Sequence, residues 1–293
     1  MKHTIDTLRH GAKAPDGNLS ELGQEQARNK GDEYFQRFVE SPPGTLFFIL
    51  PSNVSRAIDT GKGIEDRLRE LIVDHSDMHV LSIQEDDWEQ RVNELPEDKF
   101  IITDLHGTRQ FGLGKDMQYV KPFQDYTRML GGEELSAITT WVAWQDELEE
   151  WKAKAKEMYP EIDPDCLHPE SFVQTPEEQA IKYIMSARRM AEIANKHFPD
   201  RPYIHVQAGH NTADLTALAL SGQDISANNL QEFMGGKGRD FVESSSLEFN
   251  DEETTFKFRG KEYVMTETID EVIERLRKAS DRRKKEWKID GSF

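Results

Sequence analysis

The sequence is short of cysteine: Cys166 is the only one in 293 residues. An intramolecular disulfide is thereby excluded, and so is a multi-cysteine metal site. A lone thiol fits a reducing compartment, so the cytoplasm is the expected location. Long apolar runs are lacking too. No stretch approaches the ~20 residues needed to span a bilayer. The start, Met1-Lys2-His3-Thr4-Ile5-Asp6, has no apolar h-region, so neither export nor membrane insertion is expected. Positive charge is in deficit, with 37 Lys and Arg against 55 Asp and Glu and a net charge of -18. Phosphate backbones are bound mainly through Lys and Arg, so no nucleic-acid partner is expected. There is no internal repeat and no low-complexity tract.

What is present suits a soluble α/β protein. A hydrophobic content of 36% over this length can bury one sizeable core. Apolar spacing predicts strands at 3–9, 45–50, 79–83 and 203–207. Helices are predicted at 20–40, 54–72, 178–198 and 212–221, with Ser20 as the first N-cap. Strands separated by helices imply βαβ units and a mostly parallel sheet. Residues 245–249 and 254–258 read as a hairpin, and a last helix spans about 268–286. Residues 104–175 are rich in glycine and proline around a Trp-bearing helix at 133–158. They read as a helix/loop insertion over one edge of the sheet. The expected fold is therefore a three-layer α/β sandwich: a mostly parallel central sheet flanked by helices, with that insertion. Residues 1–265 form the α/β domain, and 266–293 a C-terminal helix and basic tail. The cations crowding the tail, from Arg275 to Lys288, read as a solvated helix end or a partner-docking surface.

Four motifs fall at strand-to-helix junctions. Arg9-His10-Gly11 follows the first strand. Leu19-Ser-Glu-Leu-Gly-Gln-Glu-Gln-Ala27 opens the first helix. Ser52-Asn-Val-Ser-Arg56-Ala-Ile-Asp-Thr60 follows the second strand, and Gly209-His210-Asn211 follows the strand at 203–207. In open α/β sheets, ligands bind beyond the carboxyl ends of the strands, which is where all four lie. In this order the motifs resemble the histidine phosphatase superfamily, in its phosphoglycerate-mutase-like branch. The resemblance is clearest over residues 3–83 and 176–222.

The resemblance implies a metal-independent phosphatase that hydrolyses a small phosphorylated molecule, with no cofactor. His10 would attack phosphorus and carry it as a phosphohistidine. Arg9, Arg56 and His210 would hold the phosphoryl oxygens, since guanidinium matches phosphate geometry. A carboxylate after the third strand would protonate the leaving group. Glu85 directly follows that strand; Asp86, Asp87, Glu89 and Asp104 are alternatives. The acid-phosphatase branch puts its acid right after the second histidine, where this chain has Asn211. The segment 12–18 is shorter than in the mutases, which favours hydrolysis over transfer. A mutase-like phosphoryl transferase and an inactive phospholigand-binding protein are the other readings. Gly11 reads as a small residue leaving room for phosphate. Ser52 reads as a ligand or a local cap, and Lys13 as an added cation or a solvated lysine. His106 is a possible pocket residue. His75 and His79 flank a turn and suggest no metal site.

Overall fold

The computed structural model describes residues 3–52, 54–104, 153, 157, 175–209, 213–235, 240–249 and 253–286. Nearly all of the expected insertion, with its Trp-bearing helix, lies outside the described residues. Among the described residues the strands are β1 (His3–Arg9), β2 (Leu46–Ile49), β3 (Met78–Ser82), β4 (Lys99–Thr103), β5 (Tyr203–Gly209), β6 (Ser244–Phe249), β7 (Thr254–Phe258) and β8 (Lys261–Val264). The helices are α1 (Glu21–Glu40), α2 (Ser55–Leu71), α3 (Trp88–Glu94), α4 (Pro176–His197), α5 (Ala213–Leu220), α6 (Ala227–Met234) and α7 (Ile269–Glu286).

The eight strands form one sheet in the order β3-β4-β2-β5-β1-β6-β7-β8. The first five are parallel, and β6 to β8 run antiparallel as a meander at one side. β5 lies between β2 and β1, and all seven of its residues are buried. A parallel strand covered on both faces reads as a run rather than an alternation, as Tyr203-Ile-His-Val-Gln does. β4 is an addition to the four parallel strands expected. Its Lys-Phe-Ile-Ile-Thr run inserts between β3 and β2.

The chain divides into two compact units. One holds residues 1–112, 185–210 and 240–265, and the other holds 113–184, 211–239 and 266–293. In the first, the period-2 alternation of the strands separates two cores. One joins Leu8, Phe47, Ile49, Ile101, Val206 and Ala208 to Ala27, Phe38, Ile64 and Leu68 of α1 and α2. The other joins Ile5, Leu46, Phe48, Phe100, Ile102 and Tyr203 to Ala187 and Ala194 of α4 and Val92 of α3. At the amino edge of the parallel strands, buried cations bind backbone oxygens. Lys99 Nζ donates to the Phe38 and Val39 carbonyls at 3.0 and 2.8 Å, where the dipole of α1 is negative. Arg201 donates to the carbonyls of Gly44 (2.6 Å), Val92 (2.7 Å) and Asp98.

In the second unit, three cations of the basic stretch bind inward, while Arg277, Lys278, Arg282 and Lys285 of the same helix are exposed. Arg283 pairs with buried Glu177 at 3.0 Å and donates to the Ile225 carbonyl at 2.9 Å. Lys284 pairs with Glu178. Arg275 pairs with Glu267 at 2.9 Å and donates to the Ala219 carbonyl at 2.8 Å. These contacts fix α7 to the start of α4 and the end of α5.

Candidate active site

The carboxyl end of β1 is held on every side. The His10 N–H donates to the Gly209 carbonyl at 3.0 Å, which continues the β1–β5 ladder by one residue. The Gly11 N–H donates to Thr60 Oγ1 at 3.0 Å, and that hydroxyl donates to the Arg56 carbonyl at 2.7 Å. The Ala12 N–H donates to Gln26 Oε1 at 2.9 Å. Ser20 caps α1 by accepting from the Gly23 N–H at 3.1 Å, and its own hydroxyl donates to the Ala12 carbonyl at 3.0 Å. The second and third motifs thus act as struts for the first.

Gly11 is small for a different reason from the one expected. A Cβ on it would lie 2.6 Å from the Gly23 carbonyl oxygen, and a Cβ on Gly23 would lie 2.2 Å from the Ala12 oxygen. The two glycines let the loop press against the first turn of α1. Room between backbones, rather than room for phosphate, accounts for Gly11.

The imidazole of His10 is buried and bonded at both nitrogens. Nδ1 lies 2.7 Å from the Gly11 carbonyl oxygen, which can only accept, so Nδ1 carries the proton. Nε2 accepts from Arg56 Nε at 2.9 Å. The ring is therefore the neutral Nδ1–H tautomer with its Nε2 lone pair directed at a guanidinium. Its pKa is lowered to about 4, chiefly by burial, with Arg56, Arg9 and Lys13 adding in the same direction against the Gly11 bond. Burial also draws Arg56 below its usual range. Arg9 ends β1 with its guanidinium 4.2 Å from the centre of the Phe241 ring. The same ring lies 6.0 Å from that of His10.

His10, Arg9 and Arg56 thus come together. His210 and His106 lie outside the described residues. Glu85 sits three residues past the end of β3, where Oε1 accepts from the Ser82 N–H at 2.7 Å and Oε2 pairs with Arg91 at 2.6 Å. Asp87 occupies the N-cap position of α3, and Glu89 lies 3.5 Å from His197 Nδ1. The Asp104 N–H donates to the Ile49 carbonyl at 3.2 Å, so Asp104 extends β4 beside β2. Ser52 does not cap α2, whose N-cap position is Val54; its hydroxyl is buried with no hydrogen-bond partner among the described residues.

Lys13 is exposed in a tight turn closed by the Lys13–Leu19 bridge and by Ala14 N–H to Asn18 O at 2.8 Å. Gly17 serves that turn at φ 88°. His79 pairs with Asp98 at 2.7 Å, while His75 meets the edge of Phe35. Among the described residues, no group of three His, Cys, Asp or Glu side chains is placed to hold a metal ion. No described helix is long and apolar enough to cross a membrane. Phe241 and Thr60 join the site as residues that sequence reasoning had not given a role. Thr60 stood inside a recognised motif, whereas Phe241 carried no signal.

No protein-family model matches the chain, and no curated protein matches its sequence. Several solved structures are similar. A mycobacterial glucosyl-3-phosphoglycerate phosphatase is 15% identical, with 85% of this chain and 91% of that one covered, at a TM-score of 0.41. An alpha-ribazole phosphatase from Shigella flexneri is 14% identical, with 90% and 100% covered, at 0.42. A phosphoglycerate mutase from Plasmodium falciparum is 12% identical, with 91% and 96% covered, at 0.33.

Proposed function

We propose that this protein is a phosphatase that hydrolyses a small phosphomonoester through a phosphohistidine on His10. The observation that carries the reading is the state of His10. An imidazole attacks phosphorus only through an unprotonated nitrogen. Here Nδ1 is committed as donor to Gly11, and Nε2 keeps its lone pair toward Arg56. Burial among cations keeps it neutral at physiological pH. The same cations, Arg9 and Arg56, match the charge of the group to be attacked. A chain of net charge -18 repels anions at long range, so this local positive charge must attract the substrate.

In the first step the Nε2–phosphorus bond forms and the phosphorus–oxygen bond to the alcohol breaks. A carboxylic acid supplies the proton that the departing oxygen needs. Water then attacks phosphorus, the same carboxylate takes its proton, and the phosphorus–nitrogen bond breaks to release phosphate. His210 is assigned to the phosphoryl oxygens by resemblance. Two carboxylates contend for the acid. Glu85 lies three residues past the end of β3, and Asp104 directly follows β4. The strand order puts β4 one strand nearer to β1, about 4.8 Å. The Glu85 carboxylate is also engaged by Ser82 and Arg91. The shorter strand separation favours Asp104. The compact turn at 13–19 beside the nucleophile supports hydrolysis rather than transfer between bound substrates.

An aryl phosphate assay on the parent and His10→Ala proteins, with chelator present, tests the reading. The expected loss is about a thousandfold or more. The parent alone should yield an acid-labile, alkali-stable phosphoryl adduct on His10 during turnover. Equal rates for the two proteins would end the proposal. Transfer of phosphate to an acceptor without release would mark a mutase instead.

A further inference from the structure

The segment before β6 is built around an unfavourable residue. Val242 has φ 54°, a left-handed conformation that β-branched side chains rarely adopt. Several contacts hold it there. The Val242 N–H donates to the Arg9 carbonyl at 3.1 Å, and the Arg9 N–H donates to the Glu243 carbonyl at 3.2 Å. The Glu243 N–H donates to the Asp240 carbonyl, and the Asp240 N–H returns to the Glu243 carboxylate at 2.7 Å. That carboxylate is also clamped by Arg259, at 2.7 and 3.0 Å. The Val242 side chain is packed against the core. Backbone strain persists only where surrounding contacts over-determine it, and such places cluster at functional sites.

The strained turn reverses the chain immediately after Phe241. While Val242 goes to the core, the Phe241 ring is left on the guanidinium of Arg9 and beside the imidazole of His10. Arg9 is thereby held by its backbone from one side of the turn and by its side chain from the other.

We propose that Phe241 is a positioning residue of this site. Its ring fixes the Arg9 guanidinium for an incoming phosphoryl group by a cation–π contact, and it shields His10 from water. An arginine stacked on an aromatic face keeps its in-plane N–H donors available for an oxyanion. It also loses less rotamer freedom when the anion binds. Shielding by the ring adds to the burial that keeps His10 neutral. Among the described residues, the charges facing His10 are Arg56 from α2, Arg9 from β1 and Lys13 from its own loop. All three are positive. The proposal rests on the phosphatase reading only for its kinetic consequences.

The test compares Phe241→Ala, Phe241→Leu and Phe241→Tyr in the full chain, with folding checked by circular dichroism. Three quantities are read: the His10 titration midpoint by NMR, the Kd for inorganic phosphate, and kcat and KM against pH. Phe241→Ala should raise the His10 midpoint by about one pH unit and weaken phosphate about tenfold. The acid limb of kcat/KM should move up with the His10 midpoint. Phe241→Leu keeps the apolar cover but not the π face. It should leave the His10 midpoint in place and weaken phosphate about threefold. Phe241→Tyr should restore both. If Phe241→Ala or, should that variant not fold, Phe241→Leu leaves the phosphate Kd at the parent value, the proposal is overturned. A parent that binds phosphate in this pattern without hydrolysing any phosphomonoester would remove the phosphatase reading and leave Phe241's role standing.

Discussion

The two edges of the parallel sheet both gather cations, buried at the amino edge and half-buried at the carboxyl edge, and they use them in opposite ways. At the amino edge, Lys99 and Arg201 are aimed at backbone carbonyls, which absorb their hydrogen bonds. At the carboxyl edge, Arg56 is aimed at an imidazole lone pair, and among the described residues the charges acting on that imidazole are those of Arg56, Arg9 and Lys13, all positive. Carbonyls end the demand of a cation, whereas a neutral histidine among like charges leaves the field open to an anion. A buried arginine is therefore read by what it faces. Its burial alone says nothing of function, since Arg201 is buried at the edge away from His10.

The largest expected effect separates these roles directly. Arg56→Ala should lower kcat/KM for an aryl phosphate by about a thousandfold. It should leave the denaturation midpoint unchanged or slightly raised, because a cation leaves a cluster of like charge. Arg201→Ala should do the reverse. Three carbonyls lose a charged donor, at a cost of about 3 kcal/mol in stability. Activity per folded molecule should stay within about twofold, since a contact far from the site is lost. Urea titration and initial rates on both variants give the comparison. A stability loss at Arg56 matching that at Arg201 would erase the distinction between the edges.

The carboxyl edge was the more legible of the two in the sequence. Leu19, Ser20, Gly23, Gln26 and Ala27 mark the start of α1, and each spacing corresponds to a contact: a buried Leu19, a cap at Ser20, a backbone approach at Gly23, an acceptor at Gln26. Thr60, 49 residues from Gly11, was visible only because its motif ends there. β4 was missed because its apolar run, Phe100 to Ile102, is too short to carry a period of its own. Its place between β3 and β2 is also out of chain order. Phe241 reaches Arg9 across most of the chain, and Arg283 reaches Glu177 across 106 residues. Nothing local in the sequence encodes either partner.

That missing strand bears on the acid. With β4 in place, Asp104→Asn should slow turnover about a hundredfold, the scale of a lost general acid. Glu85→Gln should cost about twofold or less, as an exposed turn contact does. The effect of Asp104→Asn should shrink on an aryl phosphate whose leaving group needs no proton, while phosphate affinity stays unchanged. The opposite ranking would return the acid to the end of β3.

Between the two edges lies His205, in the middle of β5 beside Ile5 and Phe48. Among the described residues neither of its ring nitrogens has a hydrogen-bond partner. Burial lowers its pKa to about 3, and that of His10 to about 4, from 6.5 for an exposed imidazole. Both are therefore neutral in the fold down to pH values where the unfolded chain has already taken up the protons. Their contribution to stability is complete above pH 6.5. It falls as pH drops through 6.5 toward 4 for His10 and toward 3 for His205. Within the window each histidine steepens the loss by about 1.4 kcal/mol per pH unit. The slope due to His205 disappears in His205→Leu, and the slope due to His10 disappears in His10→Gln. Saturating phosphate should deepen the contrast at neutral pH, because it binds the folded site and stabilises the parent by mass action. It should do so equally in His205→Leu, which leaves the site intact, and much less in His10→Gln. Parallel stability curves for parent and His205→Leu between pH 6.5 and 5 would mean that His205 is solvated or partnered. The column of buried residues between the edges would then be wetter than its apolar neighbours imply.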